Sequence, residues 1–238
     1  NMKKYLLVSG CSWGDPNFIS TEHPEMDTFW PKWPEILGEK LNLNVINLCR
    51  SGQGQEYIYS TLIDKIQTIP KEEIELVIPA WTTAPRRDYQ MSGFQTNKQI
   101  WTADRFDMRG CIEYWIDKSI RYYYSFQTIM EYHKIRYKQV QMVNLYTGYI
   151  WELIRQKTGN LDHNEDKLEG DSYEYKQKYK KICREQVLYN PHYNKINEHF
   201  INFNHSRIPN VKTISDRDLH PSEEGQKTIA EYIYDRLG

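Results

Sequence analysis

The sequence predicts an α/β domain in which helices cover both faces of a mostly parallel sheet. Three observations carry this expectation. Short, nearly continuous apolar runs alternate with amphipathic helical stretches through the first third of the chain, and uninterrupted apolar strands belong to sheets buried on both faces. Each of the first three apolar runs ends in small, turn-forming or hydroxyl-bearing residues. A chain of 238 residues with 39% hydrophobic content can also bury one sizeable core.

The elements follow in order. Residues 3–9 (KKYLLVS) read as a first strand closed by Gly10. Trp33 to Leu41 has apolar residues at helical spacing, with Pro34 tolerated in the first turn. Residues 44–48 (NVINL) form a second strand, followed by the turn-rich SGQGQ. Between 55 and 69, Ile58, Leu62, Ile63, Ile66 and Ile69 mark a helix that Pro70 ends. Residues 74–81 (IELVIPAW) form a third strand. The stretch 85–110 lacks periodicity and reads as a loop or insertion. A long aromatic-rich helix is expected from Cys111 to Tyr137, then a fourth strand over 138–146. Residues 159–174 read as a second loop, and Tyr175 to about Phe200 as a lysine-rich helix interrupted at Pro191. A weak strand near 210–214 and a helix from Ser222 to Leu237 complete a single domain over residues 2–238, with about five strands.

Composition narrows the function. Charged residues make up 26% of the chain and nearly cancel to a net charge of -1, which argues against a nucleic-acid binder. Cys11, Cys49, Cys111 and Cys183 form no CxxC pair and no ligand-spaced cluster. Free thiols in a reducing, cytoplasmic setting are expected, as no run reaches membrane-spanning length and no apolar leader opens the sequence. No metal or cofactor is expected. Asp162 to Asp166 resembles the start of a calcium loop, but Lys167 and Tyr173 stand where glycine and glutamate belong. His192, Glu198 and His199 have the wrong spacing for a zinc helix.

In open parallel sheets, ligands bind beyond the carboxyl ends of the strands. The first strand runs into Gly10-Cys11-Ser12-Trp13-Gly14-Asp15, the second into Arg50-Ser51-Gly52-Gln53-Gly54, and the third into Ala80-Trp81-Thr82-Thr83. A fourth segment, Asp216-Arg217-Asp218-Leu219-His220-Pro221-Ser222, precedes the last helix, with Ser222 placed to cap it. A serine hydroxyl is a weak nucleophile without a base. A histidine can be that base, oriented by a carboxylate on its other ring nitrogen. Ser12 and His220 are the candidate pair, with Asp218 or Asp216 as the carboxylate; Asp218 is favoured because positions i and i+2 of an extended segment share a side. The backbone N–H groups of Ser12 and Gly52 and the Thr82 hydroxyl are candidate oxyanion donors. Trp13, Asp15, Trp81 and Arg86, the last followed by Arg87, are candidate substrate contacts.

Together, Gly10-Cys11-Ser12-Trp13-Gly14, Asn47 to Gly54, and Leu219-His220-Pro221-Ser222 with Gly225 resemble the blocks of the SGNH hydrolases, the GDSL-like lipase/acylhydrolase family. The first block is similar to the "GCS" form associated with phage and bacterial members. The resemblance spans nearly the whole chain and implies a flavodoxin-like α/β/α fold and hydrolysis of an acyl ester through an acyl-enzyme on Ser12, without a cofactor. It also implies a small-molecule ester substrate, and the 19 tyrosines and 7 tryptophans favour an O-acetylated carbohydrate. Two positions depart from the family pattern: Thr82 stands where an asparagine donor is usual, and Arg217 where the supporting aspartate is usual. A non-catalytic binding module on the same fold and an O-acyltransferase therefore stay open as alternatives.

Overall fold

Alternation along the strands decides which face of the sheet each side chain covers. Leu6 and Val8 share one face with Leu76, Ile78 and Ala80, packed against Trp33, Leu37, Ile229 and Ile233. Leu7 shares the other with Val77 and Trp81, packed against Ile58, Leu62, Ile116, Ile120, Tyr123 and Phe126. Two apolar layers thus lie on either side of one sheet.

The computed structural model describes residues 4–86, 88–90, 94–96, 111–150, 170–203 and 207–238. In chain order these form β1 (Tyr5–Ser9), α1 (Trp33–Leu41), β2 (Asn44–Asn47), α2 (Gln55–Ile66), β3 (Ile74–Trp81), β4 (Asp88–Gln90), β5 (Phe94–Thr96), α3 (Ile112–His133), β6 (Gln139–Gln141), α4 (Gly170–Leu188), β7 (Phe200–Ile201) and α5 (Glu223–Tyr234). The main sheet has the order β2-β1-β3-β6-β7, and every neighbouring pair is parallel. This is the three-layer, flavodoxin-like arrangement expected from the sequence. α1 packs with α5 on one face, and α2 with α3 on the other. The strand order reverses between β1 and β3, which is where such sheets bind ligands.

Several later elements differ from expectation. The fifth strand is β7, not a segment near 210–214, where only an isolated bridge joins Thr213 to Pro221. β7 occupies the end of the expected Tyr175–Phe200 helix. α4 instead begins at Gly170 and stops at Leu188, ahead of Pro191, whose ring and missing N–H do not fit a helix interior. β6 is short because the Met142 and Val143 N–H groups both reach the Trp81 carbonyl, so the regular ladder ends there. Within 85–110, β4 and β5 pair as an antiparallel ribbon. Arg87, the rest of 97–110, and residues 159–169 with their calcium-like segment lie outside the described residues. Among the described residues, no helix is long and apolar enough to cross a membrane.

A buried polar network ties the end of β3 to the helices above it. Gln55 Nε2 donates to the Thr82 carbonyl at 2.7 Å and to the Tyr123 hydroxyl at 3.0 Å, while its Oε1 accepts from Thr82 N–H at 3.2 Å. Tyr123 donates to Gln141 Oε1, and Gln141 Nε2 returns to the Thr82 carbonyl. Polar groups this deep cost free energy unless paired, and here the pairing fixes the chain just beyond β3.

Candidate active site

Three loops converge at the reversal point. The loop after β1 turns at once, with Gly14 N–H donating to the Cys11 carbonyl at 3.1 Å. Gly10 lets the strands approach closely there: a Cβ would lie 3.0 Å from both Ala80 Cβ and Cys49 Sγ, so those side chains would have to shift. The chain after β2 stays alongside it through Leu48 N–H to Val8 O and Arg50 N–H to Gly10 O. Asp15 then joins the two loops, accepting from Ser51 N–H at 2.7 Å and Ser51 Oγ at 2.6 Å, and from Asn17 N–H at 2.8 Å. Gly52 has φ +78°, a left-handed turn that a side chain would disfavour.

The third loop precedes α5. Ile214 N–H donates to His220 O, and Ser215 N–H to Asp218 O. Ser222 caps the helix by accepting from Gly225 N–H. This tight loop projects His220 toward β1, and His220 Nε2 lies 2.9 Å from Ser12 Oγ. Its Nδ1 lies 2.6 Å from Asp218 Oδ1, which also accepts His220 N–H at 3.0 Å. The two-residue spacing thus works because one oxygen closes a backbone turn and binds the ring. Asp218 is 4% exposed. Burial raises its pKa, but hydrogen bonds from Ser20 and from the His220 backbone and ring outweigh burial and leave it below the ordinary value. Asp216 is exposed and takes no part in these contacts.

The remaining candidates have other tasks. Trp81 is fully buried, packs at a tilt against Tyr123 and donates to Gln139 Oε1; it is a core residue and presents no ring to a substrate. Trp13 is 7% exposed and lies in the core layer with Trp33. Both oxygens of Asp15 are engaged, Oδ2 by Ser51 across the two loops and Oδ1 by Asn17 N–H within its own turn. Arg86 donates from Nη1 to the Gln53 carbonyl at 2.9 Å, so it holds the loop that carries Gly52. Thr82 has 0% exposure, and its hydroxyl has no hydrogen-bond partner among the described residues. The Ser12 and Gly52 N–H groups donate to no backbone carbonyl among the described residues.

Four residues here escaped the sequence reading. Phe18 packs on the His220 ring at 4.3 Å between centroids. Ser20 donates to Asp218 Oδ2, and His23 Nε2 lies 2.8 Å from Ser215 Oγ. Asp88 accepts from Gly54 N–H at 2.7 Å and Tyr57 N–H at 2.8 Å, capping α2 from a distant strand. Phe18, Ser20 and His23 come from the loop before α1, which has no periodicity to mark it.

No family model and no curated protein matches the sequence. Solved structures do align with it along nearly its whole length. The chain is similar to TesA at 13% identity, with 98% of each chain covered and a TM-score of 0.51. It also aligns with the psychrotrophic esterase EstA from Pseudoalteromonas sp. at 12% identity, covering 99% of this chain and 97% of that one, with a TM-score of 0.49. A member of the lipolytic protein G-D-S-L family from Veillonella parvula DSM 2008 aligns at 13% identity, with 98% and 97% covered and a TM-score of 0.46. At such identity the likeness to TesA shows a shared fold alone.

Proposed function

We propose that this chain is a serine hydrolase of the SGNH type that cleaves an acyl ester through an acyl-enzyme on Ser12. The observation that carries the reading is the line Ser12 Oγ, His220 Nε2, His220 Nδ1, Asp218 Oδ1, with separations of 2.9 and 2.6 Å. His220 takes the Ser12 proton as Oγ attacks the acyl carbon, then delivers it to the departing alcohol oxygen. Water enters, gives a proton to His220 and attacks the acyl-enzyme; the acid leaves and Ser12 regains its proton. Asp218 orients the ring and offsets the positive charge that forms on it.

The developing oxyanion is assigned to the Ser12 and Gly52 N–H groups, which have no backbone acceptor among the described residues. Thr82 is a weaker candidate: its hydroxyl is unpaired among the described residues, but no surface of the residue is exposed. Of the tryptophans that favoured a carbohydrate ester, Trp33 and Trp81 are buried in the core and offer no stacking platform, while Trp30 is partly exposed. The class of substrate remains a small acyl ester. A binding module without catalysis is disfavoured by the same contact, since Ser12 and His220 lie within hydrogen-bond reach.

The test is hydrolysis of p-nitrophenyl esters from acetate to octanoate by the wild type, Ser12→Ala and His220→Ala. Activity in the wild type and a loss of at least about 10³-fold in either variant, with the fold retained, is the expected result. Activity that survives Ser12→Ala would sink the mechanism.

A further inference from the structure

The spacing of Asp218 and His220 leaves one oxygen of the carboxylate unaccounted for. Oδ1 serves both the His220 backbone N–H and the ring. Oδ2 takes no part in those bonds, and the Asp218 side chain is only 3% exposed. A charged oxygen buried without a donor costs more than the usual hydrogen bond contributes, so its partner matters.

That partner is Ser20, which is 0% exposed. Its direction of donation is fixed by chemistry. Ser20 Oγ accepts from His23 N–H at 2.9 Å, and an ionised carboxylate only accepts, so the hydroxyl hydrogen goes to Asp218 Oδ2. The loop carrying Ser20 is itself anchored. Thr28 Oγ1 donates to the Phe18 carbonyl, and the buried Lys32 ammonium donates to the Thr28 and Trp30 carbonyls. The same loop sets Phe18 on the His220 ring and His23 on Ser215.

We propose that Ser20 is a positioning residue, extending the line to Ser12–His220–Asp218–Ser20 and fixing the plane of the Asp218 carboxylate against the imidazole. The proposal rests on the hydrolase reading above. Ser20 acts through Asp218: among the described residues its hydroxyl bonds to Asp218 and to His23 N–H and not to Ser12. Removing its hydroxyl leaves Oδ2 buried and unpaired, so burial is no longer offset on that side and the carboxyl holds its proton to higher pH. Among the described residues, the ionisable group acting on Asp218 is His220; Asp216 and Arg217 flank it on its own loop, and His23 faces that loop from the Ser20 segment through Ser215.

Two measurements test this. The first is the carboxyl carbon titration of Asp218 by NMR in the wild type and in Ser20→Ala, which adds no volume to the site. The acid dissociation constant should fall by about tenfold, as loss of one hydrogen bond to a charged group implies. The second is a double-mutant cycle on ester hydrolysis. Ser20→Ala should lower kcat by about tenfold with KM within about twofold, yet cost under about threefold in an Asp218→Asn background. Equal losses in both backgrounds, or an unmoved Asp218 titration in an active wild type, would overturn the assignment of Ser20. A wild type without esterase activity would instead overturn the hydrolase reading on which it stands.

Discussion

At Ser12, Asp218 and the cysteines, single side chains carry separable consequences. Asp218→Asn should lower kcat/KM by about 10²- to 10⁴-fold, because the ring loses its orienting charge, whereas exposed Asp216→Asn should leave it unchanged. Thr82→Val decides the third oxyanion donor. A working donor costs about 10²- to 10³-fold when removed, and the complete burial of Thr82 predicts a loss under about tenfold. The depressed Asp218 carboxyl also links stability to pH. A carboxyl lower in the folded than in the unfolded chain stabilises the fold above its unfolded value, and that contribution is lost as pH falls through the folded value. The urea midpoint should therefore drop on acidification below about pH 4, and drop less in Asp218→Asn. The thiols give an independent check. Burial, then the neighbouring Cys11, Glu35 and Asp15, raises the Cys49 thiol well above its ordinary range, and burial pushes Cys183 to about 12. Cys111 alone among the four is exposed. Iodoacetamide at pH 8 should alkylate Cys111 and spare ester hydrolysis; inactivation tracking Cys11 or Cys49 would point to a thiol in the chemistry.

Between elements, the β4 ribbon acts on the site from outside it. α2 begins at Gly54 with no side-chain cap of its own, and Asp88 supplies one by accepting from Gly54 and Tyr57 N–H. A capping carboxylate contributes about 1 kcal/mol, and this one adjoins the loop of Gly52 that Arg86 also holds. Asp88→Ala should lower unfolding free energy by about 1–2 kcal/mol in urea titrations. Such a cap was not legible in the sequence, where Asp88 stands 34 residues from Gly54 in a stretch without periodicity. The elements that were legible share a physical feature. β1 and β3 are nearly continuous buried runs, α1 and α2 bury helically spaced residues, and β2 is a half-buried apolar run, so sequence pattern and burial agree. β6 and β7 span three and two residues, too few to display alternation. α4 has a polar N-terminal segment that reads as loop, because helix formation there does not depend on an apolar stripe.

For the molecule as a whole, two apolar layers around one parallel sheet place three loop ends at the β1/β3 reversal. Trp81 sits where the layers meet the site: its ring packs on Tyr123 and Phe126, and its carbonyl ends the ladder with β6. Trp81→Ala should cost about 3–5 kcal/mol of stability, measurable by thermal unfolding. Ser12, Gly52 and His220 could be read from the sequence because each follows or precedes a recognisable element. Ser20 could not, since its contact with Asp218 spans 198 residues and its own loop has no pattern. Trp81 was misplaced for a related reason: an aromatic residue beside a strand end looks the same in sequence whether it faces the crevice or the core. The central claim is that Ser12 is a nucleophile activated by His220. Its most direct test is labelling with a fluorophosphonate, followed by peptide mass spectrometry. One equivalent of label on the peptide containing Ser12, abolished in Ser12→Ala and strongly slowed in His220→Ala, is the predicted result. A label on another residue, or a rate indifferent to His220, would contradict the account.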